Sequence, residues 1–511
     1  MKNLLRSACI TLIGMLSTLV TTTAKQPNII FLITDDQGYG DISAHGNPIL
    51  KTPNLDKLRS ESVRFEDFHV SPTCSPTRAA LFSGRHEFKN GVTHTILERE
   101  RLALGSITLA QTLRDAGYAT GIFGKWHLGD EDEYLPSARG FTEMFIHGGG
   151  GIGQSYPGSC GDAPANKYFD PAILHNGKFV KTEGYCTDVF YKQARGWIKS
   201  QSEADKPFFT YISTNAPHSP YIAKPEDAAL YEGKVDNKQL AHFYGMIHNI
   251  DANIGMLLAD LKEWGIERDT IVIFINDNGT AAGASVFNAG MRGSKGSPWL
   301  GGTRASSFWR WTGIWKPGQT KALAAHIDIF PTLAEVTSTT LTTAVKTQIE
   351  GRSLKPLLEN PAAEWTDRYL FTHLGRWPKN ADPNNSKFSN AAVRNSRWAM
   401  VSEKGGVKTT WQLFDLTNDY AQKTNVAAQN PDIVKELSIA YDKWWGECLP
   451  LMVNEKAMGP KLNPFAVRYW EQFGRKASEA DYKRMDPEKA MDIGNSRSRK
   501  PPKPPEAKKT N

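Results

Sequence analysis

The stretch PNIIFLITDD at residues 27–36 decides the fold class of this chain. Its continuous run of apolar, largely β-branched residues is typical of a strand that is buried on both faces of a parallel sheet. A second run, TIVIFI at residues 270–275, has the same character, and a third, PFFTYIS, occupies residues 207–213. Helical patterns at residues 107–117 and 240–264 separate such runs. This alternation predicts an α/β fold with a large, mostly parallel or mixed central sheet flanked by helices.

Two of these strand-like runs end in oxygen-bearing side chains. Asp35 and Asp36 follow the first run, and Asp277 and Asn278 follow the second. In open α/β sheets the ligand site lies beyond the carboxyl ends of the strands, so we expect these four side chains to share one site. Three carboxylates and one amide oxygen are a hard-oxygen set that suits Ca²⁺ and, less well, Mg²⁺.

The pentad CSPTR at residues 74–78, followed by AALFSGR, places a thiol close to a fixed cation. The proline sets a turn, and the apolar residues after it indicate the start of a helix. Taken alone, Cys74 is equally well interpreted as a packed cysteine at a helix start or as a reactive group. Its meaning depends on the other motifs in the chain.

Three further segments carry basic side chains. In GKWHLG at residues 124–129, Lys125 and His127 are two positions apart, so on an extended segment they face the same side. His218 follows the third apolar run, and Lys295 lies in the glycine-rich loop RGSKG. Each of these segments alone is also consistent with an ordinary surface loop.

Together, and in this order, six separated motifs between Asp35 and Arg304 resemble the sulfatase family of the alkaline-phosphatase-like superfamily. The resemblance implies that a formylglycine-generating enzyme oxidises Cys74 to formylglycine after translation. It also implies one bound divalent ion, Ca²⁺ rather than Mg²⁺, in a site formed by Asp35, Asp36, Cys74, Asp277 and Asn278. The implied activity is the hydrolysis of a sulfate ester.

A mechanism follows from this resemblance as a hypothesis. One hydroxyl of the hydrated aldehyde attacks sulfur, and the second later expels sulfate while the carbonyl re-forms. We assign protonation of the leaving alcohol to His218 and the final proton abstraction to His127. Two lysines neutralise the sulfate oxygens, and an arginine orients the hydrate and the carboxylates. The predicted catalytic set is Cys74, Arg78, Lys125, His127, His218 and Lys295.

The chain also departs from the family pattern. Where relatives usually carry Glu-Gly-Gly, this chain has Leu300-Gly301-Gly302, and Arg304-Ala305-Ser306 replaces the usual Arg-Val-Pro. Because Leu300 cannot pair with a neighbouring cation, we expect the geometry of this loop to differ from that of relatives.

The first 24 residues indicate export. Lys2 and Arg6 precede an apolar run and a stretch of small residues that ends at Ala24, which is the pattern of a cleavable signal peptide. We therefore expect a periplasmic or extracellular protein. The apolar run is too short to span a bilayer, so no stable membrane insertion is predicted.

The net charge of +7 is located at the ends of the chain. The signal contributes +2 and the Pro/Lys-rich residues 496–511 contribute +5, which leaves the body neutral. A neutral body argues against a nucleic-acid partner, because polyanion binding requires an extended basic surface.

The pattern of the sequence changes near residue 365. After this point, short strand patterns and one amphipathic helix replace the earlier alternation of strands and helices. We predict a smaller C-terminal subdomain with an antiparallel sheet and a helix. The predicted boundaries are residues 1–24 (signal peptide), 25–365 (catalytic domain), 366–480 (C-terminal subdomain and packing arm) and 481–511 (disordered basic tail). In an oxidising compartment, Cys160 and Cys186 are the expected disulfide pair, with Cys448 buried and unpaired.

The expected substrate is a sulfated small molecule or sulfated glycan, with a sulfated sugar favoured by the aromatic, glycine-rich stretch at residues 147–176. Residues 373–377 are a second candidate lining, in which His373 or Arg376 contacts a carbohydrate. Two other interpretations stay open: a phosphodiesterase or phosphonate monoester hydrolase of the same superfamily, and a non-catalytic sulfated-glycan-binding protein in which Cys74 stays a thiol.

Overall fold

The computed structural model describes residues 25–484. The predicted signal peptide, residues 1–24, and residues 485–511 of the predicted tail lie outside the described part. Residues 481–484, which begin that predicted tail, instead belong to a short helix.

The strands of the described residues fall into three sheets. They are β1 (Asn28–Thr34), β2 (Val63–Phe65), β3 (Phe68–His69), β4 (Ala119–Lys125), β5 (Glu143–His147), β6 (Ala172–His175), β7 (Lys178–Lys181), β8 (Phe208–Ser213), β9 (Thr270–Asn276), β10 (Arg304–Ala305), β11 (Ser307–Trp311), β12 (Gly318–Thr320), β13 (Ala324–Ala325), β14 (Leu370–His373), β15 (Ala391–Arg394), β16 (Trp398–Ser402) and β17 (Gln412–Asp415).

The helices lie between and around these strands. They are α1 (Pro53–Ser60), α2 (Cys74–Ser83), α3 (Leu109–Asp115), α4 (Cys186–Glu203), α5 (Pro225–Ala229), α6 (Lys238–Glu263), α7 (Leu300–Thr303), α8 (Ile329–Val336), α9 (Thr343–Gln348), α10 (Lys355–Glu359), α11 (Pro431–Cys448), α12 (Pro464–Gln472) and α13 (Glu479–Arg484). Within residues 25–484, no helix has both the length and the apolar composition needed to cross a bilayer.

The largest sheet of the described residues has the strand order β12-β2-β11-β9-β1-β8-β4-β5-β6-β7. Its centre, from β9 to β5, is parallel, and antiparallel pairs flank this centre on both sides. The three apolar runs of the sequence are the adjacent strands β9, β1 and β8, and every residue in them is buried. The predicted mixed α/β fold is confirmed.

The two faces of this sheet belong to two different hydrophobic clusters. Phe31 and Ile273 point into one cluster, whereas their neighbours Leu32 and Phe274 point into the other. Because successive side chains in a strand point to opposite faces, a strand covered on both sides must be apolar throughout. This burial explains the unbroken apolar runs.

A separate antiparallel sheet, β14-β15-β16-β17, follows residue 365. The helix α11 packs against it through a cluster that contains Tyr441, Trp444, Trp445 and Leu437. The predicted small sheet-plus-helix unit is therefore present, while the exact domain boundaries stay a prediction.

The predicted disulfide is wrong. Cys160, Cys186 and Cys448 are all free thiols, and all three are buried. Cys186 begins α4 and packs in a hydrophobic cluster, whereas the Cys160 thiol is directed to the carbonyl oxygen of Thr95 at 3.6 Å. The two thiols therefore lie in different environments. The spacing of the two cysteines along the chain does not reveal this difference.

Candidate active site

The carboxylates lie at the adjacent ends of β1 and β9. The strands pair in parallel with Thr34 opposite Asn276, so the residues that follow them emerge side by side. The backbone N–H of Asp36 donates to Asp277 Oδ1 at 3.0 Å, and Asn278 Nδ2 donates to Asp36 Oδ1 at 3.2 Å. Asp36 itself has φ of 72°, the left-handed region, which turns the chain back over the strand ends.

The helix α2 brings Cys74 to the same place. Its first residue is Cys74, which is buried, and its N-terminus faces the strand ends. Thr77 Oγ1 donates to the backbone oxygen of Asp277 at 2.7 Å, and Arg78 Nη2 lies 3.1 Å from Asp277 Oδ2. Arg78 also donates to Ser213 Oγ, at the end of β8. The pentad is thereby fixed to two central strands.

Two lysines neutralise two of the carboxylates. Lys125 ends β4, and its Nζ lies 2.6 Å from Asp35 Oδ2, with both side chains fully buried. Lys295 Nζ lies 2.5 Å from Asp36 Oδ1. With Arg78 on Asp277, each carboxylate has one cationic partner, and this arrangement forms the floor of the site.

The two histidines contact different residues of the site. His127 Nε2 lies 2.8 Å from the Thr95 carbonyl oxygen, and since a carbonyl only accepts, Nε2 carries the proton. Its Nδ1, 3.4 Å from Cys74 Sγ, is then an acceptor. His218 Nδ1 donates to the Ser219 carbonyl oxygen at 2.7 Å, which turns Nε2 towards Asp36 Oδ2 at 3.8 Å.

The buried charges shift one another's pKa values. Burial, followed by the neighbouring Asp35, raises the pKa of Asp277 to about 7, and burial also raises the pKa of Asp35. The pKa of Asp36 is lowered, because Lys295 and His218 together outweigh the opposing effect of burial. Burial lowers the pKa of His218 to about 3 and that of His127 well below its usual value. Crowded carboxylates of this kind are stabilised by a cation between them.

The floor fits a divalent cation. Asp35 Oδ1 and Asn278 Oδ1 are buried oxygens without a hydrogen-bond partner among the described residues. Ligand atoms of Asp35, Cys74 and Asp277 lie within 4.8 Å of one another, and so do those of Asp35, Asp36 and His218. Unpartnered buried oxygens are costly unless something binds them, and hard oxygen atoms are the ligands that Ca²⁺ and Mg²⁺ prefer.

A glycine-rich loop covers the two histidines. A Cβ atom placed on Gly150 would lie 3.0 Å from His127 Cε1, and one placed on Gly151 would lie 2.7 Å from His218 Nδ1. A larger residue at position 151 would therefore collide with His218, and one at position 150 would crowd His127. The close approach concerns Gly150 and Gly151, and the role of residues 147–176 as a lining for the substrate stays a prediction.

Of the two candidates in residues 373–377, the structure brings Arg376 to this region. Arg376 Nη2 donates to Thr95 Oγ1 at 3.0 Å, and Thr95 is the residue whose carbonyl binds His127. His373 is buried in an aromatic cluster with Phe88, Trp377 and Trp445 instead. Its pKa is lowered to about 4 by burial, and it has a packing role.

Leu300 begins the short helix α7 and is buried. It packs in a cluster with Tyr39, Trp299 and Phe414 that joins the loops near the floor to the C-terminal sheet. Its backbone N–H donates to Gln422 Oε1 at 3.0 Å. Apolar packing therefore holds this loop. From the family pattern, we expected a glutamate at this position to hold it through an ion pair.

Sequence reasoning placed all the proposed catalytic and metal-binding residues in one site but missed the residues that hold them. Ser213 was within reach of the strand-end argument, because it ends β8 beside β1. No sequence pattern marked Thr95 or Tyr211 as a functional residue. Thr95 acts through its backbone oxygen, and Tyr211, which accepts from Arg78 Nη1 at 3.4 Å, belongs to an ordinary apolar strand pattern.

Comparisons with known proteins agree with this geometry. The family model described as Sulfatase matches residues 27–339. Arylsulfatase J of Mus musculus is 28% identical over 490 residues, covering 87% of this chain and 79% of the relative. N-acetylgalactosamine-6-sulfatase of Canis lupus familiaris is 30% identical over 381 residues, covering 69% of each chain. The crystal structure of Ps i-CgsB in complex with k-i-k-neocarrahexaose superposes with a TM-score of 0.71 at 27% identity, covering 82% of this chain and 92% of that one.

Proposed function

This chain belongs to the sulfatase family and is a sulfuric ester hydrolase, and we propose that it is an exported enzyme that removes sulfate from a carbohydrate by means of formylglycine at position 74 and a bound Ca²⁺. The observation that carries the proposal is the floor itself. Cys74, three carboxylates and three cations converge at the ends of β1 and β9, with Cys74 Sγ 3.4 Å from an accepting imidazole nitrogen.

The proposed nucleophile is residue 74 in its oxidised form. Its hydrated aldehyde would supply one hydroxyl that attacks sulfur and a second that later expels sulfate, which an unmodified thiol cannot do. Arg78 lies fully buried between Asp277 and Ser213 and orients the groups around residue 74. His127, whose Nδ1 faces residue 74, is placed to take the proton of the second hydroxyl.

The leaving alcohol requires a proton, and we propose that His218 gives it. Its Nδ1–H is held by the Ser219 carbonyl, so Nε2 faces the floor and Asp36. Burial lowers the pKa of this imidazole to about 3, although the Asp36 carboxylate opposes this effect, so its charged form requires further negative charge in the site. A sulfate ester brings a further negative charge to the same side of the ring and adds to that support.

The floor would bind the sulfate group through charge. Asp35, Asp36, Asp277 and Asn278 would hold the divalent ion, and this ion would supply Lewis acidity and a template for the sulfate oxygens. Lys125 and Lys295 would neutralise the charge that spreads over those oxygens. Because both ammonium groups are already fixed by carboxylates, little reorganisation is needed during the reaction.

The proposed carbohydrate class has two supports. The Ps i-CgsB structure, which contains a neocarrahexaose, covers most of this chain, and the N-acetylgalactosamine-6-sulfatase relative also acts on a sugar by its name. Within this chain, the loop at residues 147–176 and Arg376 leave polar groups beside the histidines, where the alcohol part of the ester would lie.

The test compares substrates at equal concentration. We expect the mature protein to hydrolyse 4-nitrophenyl sulfate, and at least one galactose or N-acetylgalactosamine monosulfate more efficiently, measured as kcat/KM by sulfate release. A strong preference for a phosphonate monoester would support the phosphonate hydrolase alternative instead. Binding of sulfated sugars with no turnover would support the non-catalytic alternative.

A further inference from the structure

One polar side chain near the histidines has no partner in the fold. Gln154 is half-buried, and its carboxamide makes no hydrogen bond to any other residue in the described range 25–484. A carboxamide can donate two hydrogen bonds and accept two, so an unpaired one beside a reaction centre retains its full capacity for a ligand.

The glycines beneath it bring this carboxamide close to both imidazoles. A Cβ on Gly151 would lie 2.7 Å from His218 Nδ1 and 3.0 Å from Gln154 Nε2. A Cβ on Gly150 would lie 3.2 Å from His127 Nε2 and 3.6 Å from Gln154 Oε1. The Gln154 carboxamide therefore lies close to both imidazoles, beside the ring nitrogens that the Thr95 and Ser219 carbonyls hold.

The turn that carries Gln154 is fixed at several points. The Gln154 N–H donates to the Gly151 carbonyl at 3.0 Å, which closes the turn. On one side Ile152 N–H donates to Asn215 Oδ1 at 2.8 Å, and on the other Gly153 N–H donates to Asp162 Oδ2 at 2.8 Å. Asp162 is buried, so the turn is anchored to the fold, whereas the Gln154 carboxamide has no hydrogen-bond partner among the described residues.

We infer that Gln154 is a specificity-determining residue whose carboxamide binds a neutral hydroxyl of the sugar next to the sulfated carbon. The inference rests on the proposed function, since it requires an ester whose alcohol part bears such a hydroxyl. The charged floor binds the sulfate of every substrate, whereas a neutral amide above the histidines distinguishes the alcohol parts. A site built to hydrogen-bond a hydroxyl rejects analogues that lack it.

The experiment measures the ratio of kcat/KM for the best galactose or N-acetylgalactosamine monosulfate to kcat/KM for 4-nitrophenyl sulfate. The aryl ester has no neighbouring hydroxyl. Gln154→Ala should lower this ratio by about 10-fold, which is the usual effect of one lost hydrogen bond in a partly desolvated site. Gln154→Asn, which shortens the arm but keeps the amide, should lower it less. Gln201→Ala, at a half-buried glutamine of α4 that contacts Ser200, should leave the ratio unchanged.

The outcomes of this experiment distinguish the role of Gln154 from the proposed function. Equal losses on the sugar and aryl esters in Gln154→Ala, with an unchanged ratio, would overturn the role of Gln154 and leave the proposed function standing. Turnover of 4-nitrophenyl sulfate by the parent protein without turnover of any sugar sulfate would overturn both the carbohydrate class and this role. Circular dichroism and thermal unfolding of each variant establish that it folds.

Discussion

The floor of the site and the loop above it are built in opposite ways. In the floor, every carboxylate has a cationic partner, and Asp35, Arg78 and Lys125 have no exposed surface. In the loop above, Gln154 is half-buried, as is Arg376 in the segment after β14, and the glycines before Gln154 let the backbone approach both imidazoles closely. The floor is a fixed electrostatic arrangement, and the loop presents the Gln154 carboxamide, which has no hydrogen-bond partner among the described residues.

This difference assigns the reaction and the substrate to different parts of the molecule. Side chains at the ends of the central strands are held by main-chain pairing and cannot shift without disturbing the core, which suits chemistry common to all sulfate esters. Loop residues are free to differ without damage to the sheet, which suits recognition of one alcohol. Changes to the floor should therefore affect all substrates equally, and changes to the loop should affect them unequally.

The largest effect is expected for Cys74→Ala. Removal of the proposed nucleophile should lower kcat for both 4-nitrophenyl sulfate and the sugar sulfate by about 10⁴-fold or more, as loss of a covalent nucleophile does elsewhere. The measurement is steady-state kinetics on both esters. Cys448→Ala, at another buried thiol that packs in the C-terminal aromatic cluster, is the matched control and should retain kcat. Full aryl sulfatase activity in Cys74→Ala would contradict the account.

The next largest effect is expected from chelation. Removal of the divalent ion with EDTA should lower kcat for both esters by about 10²–10³-fold, because its contribution to charge stabilisation amounts to several kcal/mol. It should also lower Tm by about 5 °C, since an ion that binds only the folded state stabilises it. Added Ca²⁺ should restore both properties at lower concentration than Mg²⁺.

A variant of one proposed metal ligand tests whether the effect of chelation arises at this site. In Asp277→Asn, which removes one of the proposed ligand charges and the partner of Arg78, Ca²⁺ should no longer raise Tm. Activity and Tm that are both indifferent to exhaustive chelation would show that the crowded carboxylates of the floor are stabilised by Lys125, Arg78 and Lys295 alone.

The smallest effect is expected for Arg376→Ala, in the loop region. We expect KM for the sugar sulfate to rise by about 5–10-fold, more than kcat falls, as for the loss of one charged hydrogen bond to a ligand. Arg397→Ala, at an exposed arginine directly before β16 that pairs with Asp415, is the control and should change neither constant. A large, equal fall in kcat on both esters would instead place Arg376 in the support of His127 through Thr95.

The floor could be predicted from the sequence because its positions follow from strand ends. Asp35 and Asp277 are the first residues after buried runs that must be parallel neighbours, and the pentad and the two Lys/His elements follow a recognisable order. The loop could not be predicted in this way. The place of Gln154 depends on a turn that Asn215 and Asp162 hold from distant parts of the chain.

The errors have the same physical origin. The pairing of Cys160 with Cys186 was inferred from spacing, whereas the directions of their side chains depend on packing around α4 and on the loop near Thr95. The expected effect of Leu300 on its loop stays a prediction, but its apolar neighbours Tyr39 and Phe414, which are remote in sequence, could not be predicted either. Long-range packing of this kind leaves no periodic pattern in one sequence.

The central claim is the identity of residue 74 in the active enzyme. The most direct test is peptide mass spectrometry of the segment that contains residue 74, on protein produced together with a formylglycine-generating enzyme. We predict an aldehyde at this position, reactive towards a hydrazide probe, in a fraction that rises in proportion to kcat across preparations. A fully active preparation in which residue 74 is a thiol that reacts with iodoacetamide would contradict the account.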